Sequence, residues 1–259
     1  PGCMSDPDSR YLLRSRPPAE KLVDISFKNL SIAMASVVAI VLFSILIVVF
    51  QGSLESMARY GWQFLVTSDW NPVDDQYGAG AAIYGTLITS LLALLIAVPL
   101  GVGTAIFITE NIIPKRIRDV IGLMVELLAA IPSVVLGLWA IFVMEPFIRP
   151  GLELLYQLFN WFPLFSTPPM GPGTIPAVLI LVVMILPIIT AISRDCLNQV
   201  PQKLRQAAYG VGTTRWGAII NVILPAAISG IIGGVMLALG RAMGETMAVT
   251  MIIGNSNNF

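Results

Sequence analysis

The chain has 259 residues, 56% of them hydrophobic and only 12% charged, with a formal net charge of zero and a mean hydropathy of +0.82. A charged fraction so far below the ~25% of ordinary soluble domains excludes a soluble globular protein, and the neutral balance gives no global signal for nucleic acid. Histidine is absent and the two cysteines, Cys3 and Cys196, are far apart. That composition removes imidazole acid–base chemistry, Ser-His-Asp triads, zinc patterns and a disulfide framework, so no catalytic or metal site is expected.

Residues 1–29 form a polar tail carrying Arg10, Arg14, Arg16, Lys21 and Lys28, with Met4 as the expected natural start. The apolar run 30–50 that follows is too long for the ~7–15-residue core of a cleaved signal peptide and reads as a first transmembrane helix. Residues 51–80 form an outer loop, polar and aromatic, with Trp62, Trp70 and a Trp-Asn-Pro turn. A core over 81–259 then holds four more spans. The second, 81–109, carries Pro99, Gly101 and Gly103, which predict a kink and close packing. A charged turn at 110–119 leads to a third span, 120–144, that contains Glu126 and Pro132. An interfacial helix is expected across 152–162, with Pro163, Pro168, Pro169 and Pro172 barring regular structure after it. The fourth span is 173–192, with Pro187 inside it. A polar connection, 193–225, precedes a long glycine-rich fifth span that reaches Gly254.

The cations are placed asymmetrically. Five lie in the tail, three in the 110–119 turn and four in the 193–221 connection, whereas the two alternate loops hold only Arg59 and Arg149. Basic residues concentrate on the cytoplasmic side, so the N-terminus and the connection are expected there. Five spans leave residue 259 outside, and a sixth helix returning inward is expected to follow.

The connection has a recognisable internal order. A polar helix is interrupted at Gly212, Thr213 or Thr214 can cap a second helix before Arg215 and Trp216, and that helix stops at Pro225. Such a knob can dock on a soluble partner and move as a unit; an ordinary interfacial loop is the alternative. Gln206-Ala207-Ala208, then Gly212, then Leu224-Pro225, resembles the EAA motif of ABC importer permeases, with Gln206 where Glu is usual and Val222 where Ile is usual.

On the fifth span, Arg241 and Glu245 stand four apart, a spacing that puts them on one helix face where they can partly neutralise each other. Intramembrane charges are costly and mark function by default; a structural ion pair clamping two helices is the alternative. Glu126, about two turns into the third span, either acts near the inner mouth or hydrogen-bonds a neighbouring helix. The pairs Gly230/Gly234 and Gly240/Gly244 read as helix-packing surfaces, and Pro132, Pro187 and Pro225 as kinks or hinges. Arg194 and Asp195 read as interfacial anchors.

Three further segments, IPSVVLGLW (Ile131–Trp139), ILPIITAISRD (Ile185–Asp195) and LGRAMGETMAVTMIIGN (Leu239–Asn255), resemble phosphate-specific ABC permeases of the PstC type, as do SDWNPV (Ser68–Val73) and IYGTL (Ile83–Leu87). The resemblance implies an all-α, polytopic helical membrane protein with an ABC importer (MetI-like) permease core and six spans. It also implies a subunit without catalysis or cofactor, whose partner hydrolyses ATP; no GxxxxGK[ST] loop occurs here. The partners implied are a PstA-type permease, a dimeric PstB-type ATPase, a PstS-type extracytoplasmic binding protein, inorganic phosphate and membrane lipid, in a bacterial inner membrane. In that family the positions of Arg241 and Glu245 are implicated in moving phosphate. A permease for another oxyanion, a stand-alone transporter or channel, and an intramembrane enzyme are the other readings. A stand-alone transporter would need no docking knob, and an enzyme lacks catalytic residues here.

Overall fold

The computed structural model describes residues 18–71, 74–110, 113–159, 161 and 173–253. The tail residues Arg10, Arg14 and Arg16, the prolines between 163 and 172, and the stretch 254–259 lie outside them. The chain divides into two units, meeting between Phe64 and Leu65.

The first unit is built on α1 (Pro18–Tyr60), a helix of 43 residues. It is apolar on every side from Leu30 to Phe50, and its large side chains there are exposed, as suits a helix bathed in lipid. It extends well beyond the run 30–50, because neither Gln51 nor the Gly52-Ser53 pair breaks a helix that is already propagating. A single turn, α2 (Gln63–Val66), follows.

The second unit opens on a hairpin where the sequence suggested only loop. Strands β1 (Trp70–Asn71) and β2 (Gln76–Tyr77) pair antiparallel, with Trp70 opposite Tyr77 and their rings edge-on, centroids 5.1 Å apart. Asp75 takes the left-handed turn conformation at φ 56°.

The helical core is assembled around α7 (Thr174–Gln199). Its long faces bury Ile180, Leu181, Ile185, Ile189 and Leu197 almost completely. On one side lies α3 (Gly80–Thr109), close because Gly101 carries no Cβ: one would sit 2.8 Å from Ile189 Cγ2. On another lies α10 (Leu224–Met243), where a Cβ on Gly234 would meet Ile192 Cγ2 at 2.8 Å and Cβ at 3.0 Å. Pro99 and Pro187 remain inside continuous helices. A second cluster joins Leu136, Ala140 and Met144 to Ala177, Ile180 and Met184 of α7 and to Ala248 and Ile252.

Three further stretches, all in the helical core, differ from the sequence expectation, each for a backbone reason. The third span does not begin at Val120. Residues 115–129 form α4 (Lys115–Ala129), a separate amphipathic helix with no buried residue. The chain then turns at Ala130-Ile131, and Pro132 enters α5 (Ser133–Trp139) with φ −61° and ψ 139°. Pro132 therefore separates two helices rather than kinking one: its ring excludes the preceding residue from helical conformation. The apolar span is Ser133–Leu158, formed by α5, a π turn, π1 (Ala140–Met144), and α6 (Glu145–Phe159). It takes up most of the expected interfacial helix.

Pro225 likewise does not end a helix. α9 (Arg215–Ala218) runs through a π turn, π2 (Ile219–Ile223), directly into α10. In π1 the N–H of Glu145 reaches back to Ala140 O, and in π2 that of Leu224 reaches Ile219 O. In each case the next residue is a proline, Pro146 or Pro225, which has no N–H to continue the ladder. The wider turn absorbs the missing donor and the ring, and the helix survives.

The fifth span, finally, is interrupted. α10 stops at Met243, and α11 (Met247–Ile253) starts after Gly244, Glu245 and Thr246. Among the described residues five helical segments are long and apolar enough to cross a membrane.

Candidate functional site

Two regions collect the candidate residues. The first is the polar connection. α8 (Gln202–Gly210) carries Gln206, Ala207 and Ala208. Ala208 is buried, whereas Gln206 and Ala207 face outward. Val211 N–H and Gly212 N–H close the helix onto the carbonyls of Ala207 and Tyr209. Gly212 then reverses the chain at φ 80°, where glycine avoids the Cβ clash of other residues. Thr213 Oγ1 donates to Ala208 O at 2.7 Å, locking the turn to α8. Thr214 Oγ1 accepts from Gly217 N–H at 3.2 Å and so caps α9. The tip is held by specific bonds yet presents apolar surface: Val211 is 80% exposed and Trp216 53%.

Behind this knob is a cavity of about 410 Å³ lined by Thr109, Glu110, Asn198, Gln202, Arg205, Tyr209 and Arg215, among others. It contains an ion pair between Arg205 and Glu110 that the sequence reading missed; Arg205 had counted only as a cytoplasmic charge. The available signal was an opposite charge pair, Glu110 at the end of α3 and Arg205 in the polar connection, expected on the same side of the membrane.

The second region is the interruption of the fifth span. Ala242, just before the break, belongs to a buried cluster with Val178 to Ile189 of α7, and Ala248 and Ile252, just after it, to one with Ala177, Ile180 and Met184 of the same helix. Gly173 N–H donates to Ile252 O at 3.0 Å, so α11 ends level with the start of α7. The break is thus within the depth of the helix bundle. Arg241 is exposed, on the flank of α10 beside the face that buries Ala238 and Ala242, and a Cβ added at neighbouring Gly240 would meet nothing within 4 Å. Glu245 turns away from Arg241: its Oε1 accepts the N–H of Ala248 at 3.3 Å. No ion pair joins Arg241 and Glu245 among the described residues. Because the helix stops at Met243, the spacing of four does not place them on one face. Gly240 and Gly244 contact no other helix through a missing Cβ, unlike Gly230 and Gly234, which face Cys196 and Ile192 of α7.

Glu126 is on α4, 62% exposed, not inside a span, and accepts a hydrogen bond from Arg194 Nη1 of α7 at 3.2 Å. Of the two alternatives for Glu126, the bond to a neighbouring helix is present, and Arg194 does more than anchor an interface. Pro187 is buried inside α7. No group of three or more potential metal ligands occurs among the described residues.

Residues 97–258 match the family described as the binding-protein-dependent transport system inner membrane component. The chain is 46% identical over 241 residues, 91% of its length and 73% of the relative's, to the phosphate transport system permease protein PstC of Mesorhizobium japonicum. It is 43% identical to the protein of that name from Haemophilus influenzae, over 90% of this chain and 76% of that one. A solved structure of the MetNI methionine ABC transporter, inward facing, aligns at 19% identity and TM-score 0.47 over 64% of this chain and 68% of its own. Together with the five apolar helical spans among the described residues, the match over more than half the chain places it: this is a multi-pass membrane protein of the binding-protein-dependent transport system inner membrane component family, a transport subunit that works with other components.

Proposed function

We propose that the chain is the permease subunit of an ATP-driven phosphate importer, forming half of the translocation path, and that Arg241 is on that path. The observation that carries the assignment is an arginine without an ion-pair partner among the described residues, beside a backbone break at span depth. Irregular backbone at that depth is tolerated only where protein covers it or a water-filled cavity runs past it. An unpaired guanidinium there needs an anion or a partner's carboxylate. A tetrahedral oxyanion meets both demands, since the planar fork of donors binds two of its oxygens. The names of the relatives make phosphate the first choice. Glu245 serves the site indirectly, by fixing the start of α11 and with it the course of the chain past Arg241.

A second permease of the PstA type closes the other half of the path. The knob from Gln206 to Trp216 docks a dimeric PstB-type ATPase, whose closure and hydrolysis turn the path outward and inward. ATP acts on that partner and this chain holds no cofactor. A PstS-type binding protein delivers phosphate from outside. The charge asymmetry favours a cytoplasmic N-terminus in a bacterial inner membrane. The test is uptake by the four-component complex in liposomes, with labelled phosphate offered against sulfate and molybdate. Phosphate-selective, ATP-dependent uptake is expected; equal uptake of sulfate would reassign the cargo.

A further inference from the structure

Arg205 has no part in the docking surface or the path. It stands in the first half of α8, one residue before Gln206. Its Nη1 donates to Glu110, the residue that ends α3, and its Nη2 donates to Leu197 O, in the last turn of α7, at 2.6 Å. The two charged side chains are largely enclosed, 19% and 11% exposed. Glu110 is the C-cap of α3 and Leu197 O is in the last turn of α7, where it also accepts the N–H of Val200; at such helix ends the dipole is negative and favours a cation. One guanidinium thus bridges two electronegative helix ends at once, with its planar fork holding both bonds in a fixed geometry.

An enclosed ion pair is a poor adhesive, since apolar residues of the same volume commonly hold as well. What it provides is direction. α8 has little apolar anchorage of its own, for Ala208 is its one buried residue, and the 410 Å³ cavity lies against it. The two helices that Arg205 grips are packed on each other at Gly101 and Ile189, so they respond together. We propose that Arg205 is a positioning residue of the transport cycle, the two-armed strut that delivers a displacement of α8 to the ends of α3 and α7 as one movement. The proposal rests on the reading of the knob as an ATPase dock.

The test uses the whole complex in liposomes, with inorganic phosphate as probe, and compares phosphate taken up per ATP hydrolysed in Arg205→Lys and Glu110→Gln. Lysine keeps the charge but cannot reach both acceptors in fork geometry. The ATPase stays bound and active in both variants, and uptake per ATP falls about tenfold, within the range of an ordinary coupling free energy. An unchanged ratio, whether both rates fall in parallel or neither falls, overturns the strut. So does loss of the ATPase from the complex, which would make Arg205 part of the dock. Failure of the docking reading itself has a different signature: the ATPase would remain bound when Val211 and Trp216 are both replaced by Ser.

Discussion

Glu245 gives its carboxylate to the backbone N–H of Ala248, three residues on, and not to Arg241 four residues back. That one bond decides how the most charged part of the membrane core is organised. A carboxylate that caps a helix start offsets one of its orphan donors, and Arg241 has no ion-pair partner among the described residues.

Glu245→Ala should therefore lower stability by about 1 kcal/mol, the usual cost of a lost cap, while Glu245→Gln, which retains an acceptor oxygen, should lose less than half of that. Thermal unfolding of the purified subunit in detergent measures the difference. If the carboxylate instead served by neutralising Arg241, Gln would be as damaging as Ala.

The contact of α10 with α7 gives a sharper stability test. A methyl group on Gly234 would lie 3.0 Å from Ile192 Cβ, an atom that cannot rotate away, whereas one on Gly233 would meet nothing within 4 Å. Gly234→Ala should cost about 1–3 kcal/mol through overpacking. Gly233→Ala should be neutral or slightly stabilising, because alanine is the better helix former by ~1 kcal/mol. Melting of the isolated subunit in detergent reports both; equal effects would mean that the helices are not in contact at Gly234.

At the knob, Gly212 holds φ 80°. Gly212→Ala forces a residue with a Cβ into the left-handed region at a cost of about 1–2 kcal/mol, and the chain is expected to relax by misplacing Trp216 rather than by unfolding the core. The measurement is recovery of the ATPase with the tagged permease: a clear reduction is expected, with the melting temperature of the permease changed by no more than a few degrees.

Much of this was legible in the sequence. Hydropathy located α3 and the start of α7, although α7 runs seven residues past Ile192 to Gln199, and the motif spacing located the turn at Gly212 and narrowed the cap to Thr213 or Thr214. The misreadings each have a physical cause. From Glu126 to Trp139 the chain is apolar almost without interruption, so hydropathy could not show that it leaves one helix at Ala129 and begins another at Ser133. The cue was periodicity, since the charges from Lys115 to Glu126 mark an amphipathic helix before Pro132. Pro225 was read as a stop because the rule for proline describes an α-helical ladder, and a π turn one step upstream suspends that rule. Gly-Glu-Thr at 244–246 reads through as helix by hydropathy, although a glycine followed two residues on by threonine, an N-cap type, is a stop and a start. The strut at Arg205 depends on three segments meeting in space, and no local pattern carries that.

The most direct test of the assignment is phosphate uptake and ATP hydrolysis by the reconstituted complex carrying Arg241→Ala. If Arg241 is on the path, the complex assembles, ATP hydrolysis continues within a few-fold of the native rate, and uptake falls by at least about 100-fold, the scale of a lost charge-assisted bidentate contact of ~3 kcal/mol. Uptake at the native rate would place the phosphate path elsewhere, and a complex that no longer assembles would make Arg241 a structural residue of the subunit interface.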